Sequence, residues 1–146
     1  MKPLPLAEAV SEPKPLVSCT ECAKCCTYVA VGINAPTRPR YATDILWYLY
    51  HDLVSVYRDG DGEWCVMFET RCRNLAGGLL CRVYEERPHI CRGFDNKTCD
   101  VNTPPGEAIT FRTPEQFLGW LSEKRPRVYR QIKDRFVPAS LAGAPR

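Results

Sequence analysis

Apolar and polar positions change period several times along this chain, and each change predicts an element. Tyr28 to Ile33 is β-branched and aromatic without a charge, which predicts a strand. Two prolines between Asn34 and Pro39 predict a loop. From Thr43, read as a helix N-cap, the period lengthens. Ile45, Leu46, Leu49, Leu53 and Val56 fall on one side, and Asp44, His51, Asp52, Ser55 and Arg58 on the other. That spacing predicts one helix running to Arg58 and forming the main wall of the core. Asp59 to Gly62 ends it in a turn, and Glu63 to Phe68 predicts a second strand. Gly77-Gly78 predicts a hairpin turn with Leu79 to Val83 as the partner strand, and Tyr84 to Arg87 allows one helical turn before Pro88 stops it.

Downstream, Thr103 to Gly106 reads as a linker, and Ile109 and Phe111 predict a short edge strand. Thr113, Pro114 and Gln116 form a strong helix start: a capping threonine, proline at the first position and glutamine closing a capping box. Phe117, Leu118 and Leu121 give that helix an apolar face. Arg125-Pro126 opens a last helix, with Val128, Tyr129, Ile132 and Phe136 inward and Arg127, Arg130, Lys133 and Arg135 outward. The expected fold is α+β: a small single domain with short strands and a hairpin around a cysteine cluster, one central helix and two C-terminal helices. Residues 1–17 are expected to be a flexible Pro-rich segment, 18–137 the domain and 138–146 a flexible tail.

A chain of 146 residues with 45% hydrophobic content favours one soluble domain with a modest core. No run approaches the ~20 apolar residues of a membrane span. Residues 1–10 are too short and too interrupted by Glu8 for the apolar core of a signal peptide, so a cytoplasmic location is expected. In that reducing compartment nine cysteines argue for metal ligation over disulfides, and an odd count fits pairing poorly.

The thiols are also patterned. Cys19, Cys22, Cys25 and Cys26 fall within eight residues, and Cys72, Cys81, Cys91 and Cys99 follow with gaps of eight, nine and seven. Thiolates favour zinc, copper(I) and iron–sulfur clusters, and two-residue gaps let a turn aim successive sulfurs at one point. Adjacent side chains diverge, so only one of Cys25 and Cys26 joins Cys19 and Cys22 easily, leaving the other for a second metal or a bridge. Eight thiols suffice for two four-sulfur sites or one polynuclear site. Two zinc ions among eight thiolates leave a net charge of about minus four, which calls for nearby cations. Arg71, Arg73, Arg82, Arg87 and Arg92 are interleaved with Cys72, Cys81 and Cys91 and supply them.

Other candidates weigh less. Cys65, between Trp64 and Val66, reads as a buried structural thiol. Asp95 is the most plausible oxygen ligand, His89 stands close to Cys91, and His51 lies on a polar stripe. Asp59 to Gly62 has the acidic spacing of a calcium loop, but Trp64 stands where such a loop needs glycine. Residues 123–136 carry six cations against two anions, which fits a solvated face or an acidic protein partner. With a whole-chain charge of only +3 and no reading helix or RNA motif, nucleic acid is not an expected partner.

The run Cys19 to Cys26, followed by Cys81, Tyr84, Arg87, Pro88, Cys91, Arg92, Phe94 and Asp95, resembles the YkgJ-type cysteine-cluster proteins, a group described as zinc- or iron-chelating. Cys72 and Cys99 also fall where this resemblance places them. It covers about Cys19 to Cys99 and implies that Tyr84, Arg87, Pro88 and Arg92 accompany the cluster. The same module occurs in a flagellin lysine methylase, so an enzymatic role is compatible with it. Cys26 departs from ferredoxin spacing and the downstream cysteines lack the paired CxxC knuckles of zinc sites, so neither template fits; zinc is placed slightly ahead of iron or an iron–sulfur cluster as the ion an aerobic preparation retains. Three functions compete. They are a metal-binding protein with a structural, handling or sensing role, an iron–sulfur redox or methyltransferase-related enzyme, and a zinc-stabilised adaptor using the basic last helix. Metal removal is expected to unfold Cys19 to Cys99.

Overall fold

The structure, a computed structural model, describes residues 15–97, 99, 101–102 and 108–142. The predicted linker Thr103 to Gly106 lies outside the described residues. The architecture is α+β, with a small antiparallel sheet between two unlike layers.

Four strands make the sheet: β1 (Tyr28–Ile33), β2 (Val54–Arg58), β3 (Trp64–Glu69) and β4 (Ile109–Phe111), in the order β1-β3-β2-β4. Every pairing is antiparallel, with Tyr28 opposite Glu69, Val56 opposite Val66 and Val56 opposite Phe111. Because side chains alternate across a strand, this register puts Val54, Val56, Trp64, Val66, Phe68, Ile109 and Phe111 on one face. Tyr28, Ala30, Ser55, Tyr57, Cys65, Met67, Glu69 and Thr110 share the other.

Three helices cover the first face. They are α2 (Pro39–Leu49), α4 (Pro114–Lys124) and α5 (Pro126–Phe136). Ala42, Ile45, Leu46 and Leu49 recur at helical spacing on the buried side of α2. Phe117, Leu121 and Ile132 are fully enclosed in the same core, where Trp64, Phe111, Phe117 and Trp120 form an aromatic cluster. The capping box at Thr113 forms as expected, with Gln116 returning a bond to the Thr113 amide and Pro114 at the first helical position. Remaining described helices are the single turns α1 (Cys19–Cys22), α3 (His89–Arg92) and α6 (Ala139–Ala142). Chain expected to be tail from residue 138 thus begins with a helical turn, and Leu141 packs on the core.

Several expectations need correction. The predicted long helix divides: α2 starts at Pro39, inside the expected loop, and stops at Leu49. Thr43 does not cap it, but sits within it and bonds back to the Arg40 carbonyl at 2.8 Å. Leu53, at φ +61°, turns the chain into β2, where the alternation of Val54, Val56 and Tyr57 suits a pleated strand. Ser55 therefore leaves the expected solvated stripe and is buried at 1% exposure. Gly77-Gly78 makes a 3₁₀ turn (Gly77–Leu79) instead of a hairpin, and the expected strand 79–83 reduces to one bridge between Leu75 and Cys81. With two glycines and no apolar partner face, that segment has little to gain from a ladder. Phe136 is 51% exposed, because α5 runs past the core there and Val137 turns in instead.

Candidate metal centre

On the second side of the sheet lie the cysteine-bearing segments, the described residues of 15–27 and 70–102, of which Cys19, Cys22, Cys25, Phe94 and Cys99 face the sheet across a cleft. Ser18 opens the first: its hydroxyl accepts from the Thr20 amide, and Glu21 accepts from the Ser18 amide at 3.1 Å, so a capping box starts α1. Ala23 then adopts φ +47°, a left-handed conformation uncommon for a residue with a Cβ. This reversal ends α1 and starts a 3₁₀ turn (Lys24–Cys26), delivering Cys25 and Cys26 to the start of β1. Past β3 the chain returns alongside: Thr70 donates to the Thr27 carbonyl at 2.9 Å and Cys72 to the Cys26 carbonyl at 2.7 Å. Asn102 closes the layer by holding both the amide and the carbonyl of Val17, at 2.8 and 2.9 Å.

Between this layer and the sheet lies a cleft of about 470 Å³. Its thiol wall consists of Cys19, Cys22, Cys25 and Cys99, and Tyr28, Tyr57, Met67 and Thr110 come from the sheet. At the rim stand Lys24, Asp95 and the exposed Arg112–Glu69 ion pair, with N to O at 3.3 Å. Cys26, Cys72, Cys81 and Cys91 are not part of the cleft lining. Cys25 and Cys26 form the seam between the two groups: Cys25 lines the cleft and Cys26 does not.

Crowding governs the acidity of the seam. Burial first, then the neighbouring Cys26 and Cys19, push the Cys25 thiol up to about 11. Cys26 is raised chiefly by burial, with added repulsion from Cys72, Cys81 and Cys91. Thiols packed this way resist losing protons at neutral pH, and a cation among them reverses that preference. The donor set is thus chemically suited to a thiophilic metal. Among the described residues, however, no three His, Cys, Asp or Glu side chains stand already arranged around one ion.

The predicted neighbours have specific places. Arg87 stacks over the Tyr84 ring at 3.7 Å and donates from Nε to the Tyr84 carbonyl at 2.8 Å. Arg92 donates to the carbonyls of Arg87 and Glu85, and Arg71 to that of Leu75. These guanidinium groups brace the backbone between the cysteines rather than contacting sulfur. Asp95 is exposed on the cleft rim and accepts from the Lys97 amide at 2.8 Å. His89 and His51 are exposed. Cys65 differs from the expected buried thiol: it is half-buried on the cysteine-side face of β3, opposite Gly32 and Tyr57, because alternation turns it away from Trp64 and Val66. Ala23 and Asn102 were not legible as organisers of the layer. An alanine gives no sign of a left-handed turn, and an asparagine bond across 85 residues has no local signature.

Comparison with known protein families gives one match: the CxxCxxCC model, described as "Putative zinc- or iron-chelating domain", over residues 18–117. No curated protein and no solved structure matches the chain.

Proposed function

From the premise that the chain belongs to the CxxCxxCC family, we propose that it binds zinc or iron through Cys19, Cys22, Cys25, Cys26, Cys72, Cys81, Cys91 and Cys99. Zinc is favoured, since an all-thiolate set suits a d¹⁰ ion without geometric demands of its own. The role is structural, metal-handling or sensing. One observation carries the proposal: within residues 15–27 and 70–102 only Ala23 and Leu75 are buried hydrophobic residues among those described. A layer with so little apolar burial needs another source of cohesion, and the eight thiols on these segments offer metal bonds. Tyr84, Arg87 and Arg92 hold the loop that presents Cys91, while Asp95 remains available as an oxygen donor at the cleft.

Elemental analysis with an ultraviolet–visible spectrum, on protein purified without oxygen or added metal, tests this. Zinc in a colourless solution supports the structural and handling roles. Iron with matching acid-labile sulfide and a brown chromophore replaces them with redox or enzymatic chemistry, and absence of any metal contradicts the proposal.

A second reading rests on α5, where Arg127, Arg130, Lys133 and Arg135 are exposed. There the metal only stabilises the fold, and the basic helix binds an acidic protein. Charge reversal at Arg127, Arg130 and Lys133 would abolish capture of an acidic partner without changing metal content; preserved capture contradicts this reading.

A further inference from the structure

We infer that the eight thiols divide at the Cys25–Cys26 peptide into two metal-binding sets, each holding one ion: Cys19, Cys22, Cys25 and Cys99 on the cleft, and Cys26, Cys72, Cys81 and Cys91 outside it. The inference rests on the metal-binding role proposed above and assigns its ligands.

Position supports the division first. All four members of one set line the cleft, and no member of the other does. Backbone connections then knit the second set together. Cys72 donates to the Cys26 carbonyl at 2.7 Å, Leu75 donates to the Cys72 carbonyl at 3.2 Å, and Leu75 bridges to Cys81. Leu75, at 7% exposure, is the one buried hydrophobic residue among the described residues 70–102, and Cys72 and Cys81 flank it through these backbone connections. Cys91 joins this set as the remaining thiol outside the cleft lining. The divided dipeptide is thus the seam between two neighbouring centres.

Four thiolates around one divalent zinc ion carry a net charge of about minus two, and two such centres repel each other across the seam. The cleft set meets this charge with Lys24 and with water in an open cavity of about 470 Å³. Each set has one exposed thiol, Cys19 or Cys72, and three half-buried ones, so a chelator can reach either. When the ion leaves the cleft, its four thiolates take up protons and no electron transfer is involved.

The test uses the full-length, zinc-loaded protein. It is treated with increasing but limiting chelator, quenched with an alkylating reagent and read by peptide mass spectrometry, with fragmentation to distinguish Cys25 from Cys26. The expected result is loss of one of two ions while the four thiols of one set become labelled together and the four of the other stay protected. Labelling that mixes the sets, or rises uniformly over all eight, overturns the division while leaving metal binding intact. Protein that holds no zinc and labels at all eight thiols from the start overturns both. Cys25→Ser and Cys26→Ser provide a second measurement by native mass spectrometry. Each is expected to retain one ion, protecting the opposite set of thiols; loss of both ions from a variant that keeps the wild-type helix signal in circular dichroism counts against the division.

Discussion

The two faces of the sheet are covered by opposite means. Against one, α2, α4 and α5 enclose Ala42, Phe117, Leu121 and Ile132 completely. Against the other, the cysteine segments form only short turns and bury Ala23 and Leu75. Since burial contributes roughly 25 cal/mol per Å² of apolar surface, the helix side can persist on packing alone. The cysteine side depends on backbone bonds, the Asn102 clamp and, in the proposed function, metal. One strand can therefore serve two stabilising chemistries: in β3, Trp64 and Val66 enter the apolar core while Met67 faces the thiol cleft.

This contrast changes the expected consequence of metal loss. The sequence suggests unfolding from Cys19 to Cys99, but α2, β2 and β3 lie inside that span and belong to the apolar core. Metal loss should instead open residues 15–27 and 70–102. Structural zinc binding is worth an apparent ~10–16 kcal/mol in small peptides, so this is the largest effect expected here. In urea, the metal-free protein should unfold with a lower m-value than the loaded one, because part of its surface is already exposed; equal m-values would break the contrast.

Phe117→Ala addresses the other side. It should cost about 3–5 kcal/mol of global stability in denaturant titration while metal content stays at the wild-type value. Coupled loss of metal would mean that the two layers are one cooperative unit. The two capping boxes allow a finer comparison. Thr113→Ala should lower global stability by about 1 kcal/mol, whereas Ser18→Ala should chiefly speed metal release to a competing chelator. Equal effects on both readouts would count against separate layers. The smallest change concerns Ser55, whose buried Oγ has no hydrogen-bond partner among the described residues. Ser55→Ala is expected to be neutral or stabilising by up to about 1 kcal/mol in the same titration, and marked destabilisation would reveal a partner for that hydroxyl.

Legibility followed the range of the interactions. The strand Tyr28–Ile33 and the capping box at Thr113 are encoded within a few residues, and the structure contains them. The division between α2 and β2 was hidden because Leu53 and Val56 continue a plausible helical period past Leu49; a positive φ at Leu53 breaks it without a glycine. Ser55 looked solvent-facing for the same reason. The cysteine spacing identified a thiol-rich layer, but its organisation depends on contacts between distant segments, such as Cys26 with Cys72 and Val17 with Asn102. Those contacts have no periodicity to read.

The most direct measurement is residue-resolved hydrogen exchange on the metal-loaded and metal-free protein. Amides of α2, β2, β3, α4 and α5 should keep their protection after metal removal, while those of residues 15–27 and 70–102 exchange freely. Equal loss of protection across both layers, or unchanged protection in the cysteine segments, would contradict the claim that packing holds one face and metal the other.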